Sequence, residues 1–196
     1  MTAPERKGRH WVPLLLMAVL SLCCTALFYA MPMDLSPATP WFSVENGILY
    51  FDPSQYTGDS ELTVPAQIDG QTVTVISKDC FRDCTALTTL KLPDTLEAIG
   101  EGALRNCTGL RGIEIPKSVA FIGKDAFSGC TGLEAVCISN KLQQIGSNVF
   151  DGCTGLRYVY FLGNFQEWDL LYRDFLDPNV VISCDDGKFF PNGDPA

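Results

Sequence analysis

Nine cysteines and a single histidine are the residues of this 196-residue chain best suited to chemistry. Cys84, Cys107, Cys130 and Cys153 recur at a constant step of 23 residues. In an exported chain such a series raises disulfide bonding and metal ligation as the two chemistries to weigh. The step argues against both. Residues one repeat apart stack as a ladder at strand spacing, about 4.8 Å, and a ladder does not converge on a point as metal ligands must. Cysteines facing a core behave as small hydrophobes, so these four are expected to be buried and reduced, with Cys80 in the column of Ala103 and Ala126. His10 precedes a long apolar run, which removes Ser-His-Asp and Cys-His mechanisms from everything after it. Asp185-Asp186 reads as a turn pair, and residues 185–194 lack the ligand spacing of a calcium loop. Asn106-Cys107-Thr108 meets the glycosylation triplet, but its cysteine points inward. No catalytic, cofactor-binding or metal-binding residue is expected, and no enzyme activity.

The elements that position these cysteines are a repeat. Phe81, Leu104, Phe127 and Phe150 keep the same step, as do Thr85, Thr108, Thr131 and Thr154, and Leu87, Leu110, Leu133 and Leu156. So do Leu90, Ile113, Val136 and Val159, and Leu92, Ile115, Ile138 and Phe161. Ile76, Ile99, Ile122 and Ile145 run five residues ahead of the aromatic column, followed in three copies by Gly100, Gly123 and Gly146, which read as tight turns. Ile113 and Ile115 flank Glu114 in the alternation of a half-buried strand, and Pro116 ends it. Val119 and Ile122 make a second short inward face, and Ala126-Phe127 begin the turn back to Cys130. One coil cannot bury its apolar stripe alone, so coils must stack. The expected fold is a mainly β solenoid of stacked 23-residue coils, with a parallel strand ladder and short helical turns, capped at both ends; four copies are clear.

Apolar residues make up 46% of the chain and charged residues 19%, enough for one packed core. The formal net charge is −9, and Arg6, Lys7 and Arg9 in the first ten residues leave the remainder more acidic still. Nucleic acid is excluded as a partner, because no basic patch is available to phosphate. Residues 11–31 contain no charge and as a helix span about 30 Å. Two readings stay open, an uncleaved membrane anchor, favoured by the length, and a signal peptide cut after Ala26 or Ala30. The preceding basic cluster, with no further Lys or Arg before Lys78, puts the N-terminus in the cytoplasm and all that follows residue 31 outside. Cys23-Cys24 follow Leu22, without the small residue of a lipidation site. The chain therefore divides into residues 1–40 (cytoplasmic tip, signal anchor or signal peptide, and a linker stiffened by Pro32, Pro37 and Pro40), an N-terminal cap at 41–72, repeats at 73–161 and a C-terminal cap at 162–196. Five extra residues stand between Pro65 and Val73 in the first cap. In the second, Phe165, Trp168, Leu170, Leu171, Tyr172 and Phe175 supply apolar mass at helical spacing, and residues 180–182 add a last strand. Trp168 reads as a cap residue in preference to a ligand-stacking platform.

The phrase Ile115-Pro-Lys-Ser-Val-Ala-Phe-Ile-Gly-Lys-Asp-Ala-Phe-Ser-Gly-Cys-Thr-Gly-Leu133 resembles the repeat of the bacterial BspA-like leucine-rich-repeat surface proteins. The likeness covers residues 62–161. Asn46-Gly-Ile-Leu-Tyr-Phe51 and Leu62-Thr-Val-Pro-Ala-Gln-Ile-Asp-Gly70 are similar to that family's opening coil, and Val159-Tyr-Phe-Leu-Gly-Asn-Phe-Gln-Glu-Trp168 with Ile182-Ser-Cys-Asp-Asp-Gly187 to a closing segment. The chain departs from the pattern at Leu104 (Phe is usual), at Ser77 (Gly) and at Ser139 and Leu162 (Pro), changes expected to weaken single turns. The resemblance implies an α/β-type leucine-rich-repeat solenoid, exported to the cell surface, that engages proteins and needs no cofactor.

The candidate partner-binding face lies on the outward positions of the main strands. Thr89, Gly112, Ala135 and Tyr158 form one row, and Lys91, Glu114, Cys137 and Tyr160 the next. Gly112 and Ala135 leave a shallow floor beside an aromatic wall of Tyr158 and Tyr160. β-Propensity and packing against the C-terminal cap explain the tyrosines equally well. Arg111, Glu134 and Arg157 form a third row whose alternating signs support one another. The expected partner is a protein, or else a glycan, on the extracellular side, with the membrane engaged through residues 11–31. The alternative is a structural spacer with a uniformly hydrophilic outer face.

Overall fold

A computed structural model describes residues 41–54, 56, 60–172 and 176–196. The tip, the apolar segment 11–31, the linker, Cys23, Cys24 and Phe175 lie outside the described residues. Among the described residues no helix is long and apolar enough to cross a membrane.

Two hairpins open the structure. β1 (Phe42–Glu45) and β2 (Ile48–Phe51) pair antiparallel around Asn46 and Gly47, at φ 53° and 81°. Two consecutive left-handed residues give the tight turn whose twist matches paired strands, and Asn-Gly adopts it at least cost. After β3 (Glu61–Thr63), β4 (Gln67–Ile68) and β5 (Gln71–Thr72) repeat the device around Asp69 and Gly70, at φ 51° and 75°. This second hairpin absorbs the five extra residues before Val73.

From there each coil lays down two short strands. These are β6 (Val75–Ile76) and β7 (Thr89–Lys91), β8 (Ala98–Ile99) and β9 (Gly112–Glu114), β10 (Phe121–Ile122) and β11 (Ala135–Ser139), then β12 (Gln144–Ile145) and β13 (Tyr158–Leu162). A helix, α1 (Phe165–Leu171), and the strands β14 (Val181–Cys184) and β15 (Gly187–Phe189) close the chain. The strands form two ladders, in the order β1-β2-β6-β8-β10-β12 and β15-β14-β13-β11-β9-β7-β3. Within them only the outermost pairs, β1 with β2 and β14 with β15, are antiparallel. The second ladder holds six parallel strands from β3 to β14, so the count of four clear copies was short at both ends. Its first strand lies in the segment read as a cap, and its last in the closing segment.

Between the ladders the repeat columns fill the core. Phe81, Leu104, Phe127, Leu110 and Leu133 are fully buried, each such side chain contributing about 2 kcal/mol. Phe127 and Phe150 stack with centroids 5.9 Å apart, and Ile76, Ile99 and Ile122 form the opposite wall. The cysteine column does more than fill space. The thiols of Cys107, Cys130 and Cys153 each donate, at 3.1 Å, to the carbonyl of the aromatic-column residue one coil back, Phe81, Leu104 and Phe127. All seven described cysteines are free, and Cys84, at the start of the column, is only half-buried. Burial pushes the Cys153 and Cys80 thiols up to about 12. Cys107 is pushed up by its hydrogen-bonding neighbour Cys130 and by burial.

Gly100, Gly123 and Gly146, read as tight turns, have no positive φ. They stand where one coil presses on the next: a Cβ on Gly100 would lie 2.7 Å from the Ile76 carbonyl oxygen, and one on Gly123 2.6 Å from the Glu101 nitrogen. The left-handed positions are two other columns, Asp79, Gly102, Asp125 and Asn148, and Asp83, Asn106, Gly129 and Gly152, with φ from 52° to 75°. Asp and Asn tolerate this region because their short polar side chains bond locally, and Asn106 Nδ2 donates to Asp83 Oδ1 at 2.8 Å along one column.

The proline departures also act differently from expectation. Pro93 and Pro116 follow β7 and β9, which are three residues long; with Ser139 and Leu162 in their places β11 and β13 run to five and pair through Ile138 with Phe161 and Ser139 with Leu162. Without proline the ladder simply continues. At the C-terminal end Asn164 and Glu167 close a capping box on α1. Trp168 is buried against Phe161 and Tyr172, at centroid distances of 5.6 and 5.3 Å. Leu170, counted on for cap mass, is 62% exposed instead, since it lies on the other face of this helix of about two turns.

Candidate binding face

The pleat sends alternate residues of β7, β9, β11 and β13 to the outer face. Thr89 pairs with Gly112, Gly112 with Ala135 and Ala135 with Tyr158, which makes one continuous row. Glu114 pairs with Cys137 and Cys137 with Tyr160 in the next row, and Lys91 stands beyond Glu114. Lys91, Glu114, Tyr158 and Tyr160 are exposed, whereas Thr89, Gly112, Ala135 and Cys137 are half-buried in the floor. Lys91 and Glu114 flank a cleft of about 300 Å³ lined also by Leu90, Leu92, Asp94 and Pro116, at the level where Pro93 and Pro116 end their strands.

The face is uneven along the ladder. Its first three strands present Glu61, Thr63, Lys91 and Glu114. Its later strands present Ala135, Cys137, Tyr158 and Tyr160, and after them three residues the sequence reading missed, Leu162, Val181 and Ser183. Tyr158, Tyr160 and Leu162 are 43, 44 and 52% exposed, and the two rings lie nearly parallel, 6.0 Å apart. The cap's Trp168 packs on the inward Phe161, whereas beside the tyrosines the cap contributes β14, with Val181 paired to Tyr158 and Ser183 to Tyr160. The signal for Leu162 was available: it stands two residues after Tyr160, where the expected proline is absent. The Cys137 thiol is pushed up by burial and by Glu114.

Charge frames this apolar stripe. Arg111 pairs with Glu134 at 3.5 Å, which leaves Arg157, exposed beside Tyr158, without an ion pair among the described residues. At the stripe's other end Asp185 donates its backbone N–H to the Gly163 carbonyl at 2.9 Å and is exposed beside Leu162. Asp186 is taken up by the fold, its carboxylate accepting from the Phe165 N–H at 3.0 Å. The outer face of the other ladder carries one large apolar residue between β8 and β12, Phe121, paired with Ala98 and Gln144. No group of His, Cys, Asp and Glu suited to hold a metal occurs among the described residues.

The architecture has counterparts among solved structures. A leucine-rich repeat protein of T. pallidum matches with a TM-score of 0.53 at 22% identity, covering 75% of this chain and 80% of that one. A leucine-rich repeat protein from Bacteroides capillosus ATCC 29799 matches with a TM-score of 0.54 at 25% identity, covering 62% and 93%. A leucine-rich cell surface protein from Faecalibacterium prausnitzii A2-165 gives 0.45 at 23% identity, covering 70% and 44%. No curated protein matches the chain. The family model for the BspA-type leucine-rich repeat region matches residues 61–170 in 6 copies, a span that holds β3, β7, β9, β11 and β13 of the main ladder. The chain belongs to the BspA-type leucine-rich-repeat family.

Proposed function

We propose that this chain is a non-catalytic binding module held at the cell surface by residues 11–31, and that its partner is a protein docking on the outer face of the main ladder. The observation that carries this reading is the exposed stripe of Tyr158, Tyr160 and Leu162. Exposed apolar side chains grouped and rimmed by charge are the composition of a contact surface, and tyrosine combines large apolar area with a hydroxyl at low entropic cost. The only histidine, His10, precedes the apolar segment, which supports a non-catalytic role for the repeats. The hydrophilic half of the face at Glu61, Thr63, Lys91 and Glu114 favours a second reading, a structural spacer. Pull-down from extracellular matrix and neighbouring-cell lysates with the parent chain and with a Tyr158→Ser, Tyr160→Ser double variant separates the two. A binder loses most of its partner while its melting temperature stays nearly intact; a spacer captures nothing that the double variant fails to capture, and a glycan partner would survive protease treatment of the lysate. For the topology, protease added to intact cells is expected to digest residues 41–196, and protection until lysis would reverse the assignment.

A further inference from the structure

The stripe on β13 is self-complementary. Read along the strand it runs Arg157, Tyr158, Tyr160, Leu162, with Asp185 beside the last, a cation at one end, an anion at the other and apolar groups between. Turned end for end and laid on itself about Tyr160, the stripe sets Tyr158 against Leu162, and Arg157 one strand, about 4.8 Å, aside from Asp185, an offset its long side chain spans. We propose that a second copy of this chain docks on this face, related by a twofold axis lying in the contact plane across the strands at Tyr160.

The proposal rests on the reading of the main-ladder face as a binding surface and names the partner. A twofold contact uses one patch on both copies, so each Arg157–Asp185 match occurs twice. The axis keeps β11 over β11 and β14 over β14 with strands antiparallel, the aligned arrangement in which sheets pack face to face, about 10 Å apart. Charge also sets the limits of the contact. At the level of Tyr160, Glu114 and Lys91 on one side and Lys188, paired with Ser183, on the other would meet their own counterparts, which confines docking to β11, β13 and β14. Three strands at about 4.8 Å spacing fall well short of the roughly 800 Å² per partner of a standard interface. The formal net charge of −9 opposes approach as well. The association is therefore weak and concentration-dependent. Cys137, half-buried and one strand from Tyr160 along the axis, faces Cys137 of the copy at a distance beyond disulfide reach but within that of a short bismaleimide.

The test uses the full chain at near-physiological salt. Sedimentation across about 10 to 500 µM is expected to show reversible dimers, a range set by the small contact. Arg157→Glu and Asp185→Lys should each weaken dimerisation about fivefold, and their combination should restore it to within about twofold, the scale of exposed ion pairs. This reversal reports on the face whatever the first forty residues contribute. A short bismaleimide should join two copies through Cys137, and Cys137→Ala, Tyr160→Ser and either single charge reversal should reduce the product. A monomer throughout that range, or a double reversal no better than the singles, overturns the proposal. If in that case the tyrosine variant still loses a different protein partner, the binding-face reading stands without it. If the tyrosine variant changes neither dimer nor partner, both fall together.

Discussion

Gly123→Ala and Gly112→Ala are the same chemical change at two sites that the structure makes opposite in consequence. Neither glycine has positive φ, so alanine pays no conformational penalty at either and gains about 0.4–1 kcal/mol by restricting the unfolded chain. At Gly123 the new Cβ would lie 2.6 Å from the Glu101 nitrogen, 2.7 Å from the Gly100 carbonyl carbon and 2.9 Å from the Glu101 Cα. All three are backbone atoms of the preceding coil, which cannot rotate aside as a side chain can, and the Gly123 N–H to Ile99 carbonyl bond of 2.8 Å holds the two coils together there. Forcing them apart falls at the upper end of overpacking costs, about 3 kcal/mol, for a net loss of about 2 kcal/mol after the entropic gain. For a domain of this size that lowers Tm by about 4–8 °C. At Gly112 the new Cβ meets only the Ala135 carbonyl oxygen, at an ordinary 3.5 Å, so the entropic gain remains and Tm is expected to rise by about 1–4 °C.

Thermal and urea unfolding followed by far-ultraviolet circular dichroism measures both. Gly123→Asn separates close approach from turn geometry, because asparagine adopts left-handed backbone readily but is larger than alanine. Close approach makes it at least as damaging as alanine; a turn requirement makes it milder. If Gly123→Ala melts with the parent, if the two alanine variants shift together, or if asparagine is the milder change, the close-approach account is wrong.

The buried thiols make stability fall in alkali. Cys80 and Cys153 have folded values pushed from 9.0 to about 12, so their contribution is complete below pH 9 and lost as pH rises towards 12, at up to about 1.4 kcal/mol per pH unit for each. Urea midpoints measured across this window should fall more steeply for the parent than for a Cys80→Ala, Cys153→Ala variant. Cys107→Ala should cost about 1 kcal/mol and Cys107→Asp should unfold neighbouring coils by burying an unpaired charge; rapid alkylation of native Cys107 or Cys130 would show the column to be open. Trp168→Ala, which empties the site against Phe161 and Tyr172, should cost about 3–5 kcal/mol. Deleting residues 163–196 should lower solubility by uncovering the last coil, whereas unchanged melting without aggregation would show that the tail covers nothing.

The inward half of this structure was legible in the sequence because packing repeats. Phe127 must sit over Leu104 and under Phe150, so the step of 23 residues, the two inward faces and the parallel ladders could all be read from columns of like residues. The opening hairpins were legible in principle, since Asn46-Gly47 and Asp69-Gly70 are hairpin dipeptides, but they precede the 23-residue columns and share none of their pattern. Contacts between backbone atoms were not legible. Gly100 and Gly123 look like turn glycines until the preceding coil is in place, and the true left-handed columns mix Asp, Asn and Gly and so lack a single-letter signature. The thiol to carbonyl bonds were hidden for the same reason: a column of small hydrophobes and a column of donors have the same spelling. On the outer face the rows were legible from parity alone, but the reach of the stripe was not, because β13 continues through Leu162 only by virtue of pairing with an equally extended β11.

That extension bears on what the outer face is for. An inward residue of a coil is constrained by the coils on either side, so its identity is accounted for by the fold. An outward residue has no such constraint, and an apolar one there lacks a structural reason unless it packs on a neighbour. Leu162 stands in an outward position where the repeat pattern has a strand-ending proline, is 52% exposed, and extends the line begun by Tyr158 and Tyr160. Proline there would end the strand as it does after β7 and β9, whose last outer positions, level with Tyr160, are Lys91 and Glu114. Along one ladder, then, the coils that keep the proline present charge, and the coils that lose it present a longer, apolar surface. Neither core packing nor ladder hydrogen bonding requires Leu162 to be leucine, which supports the proposal that a partner covers it.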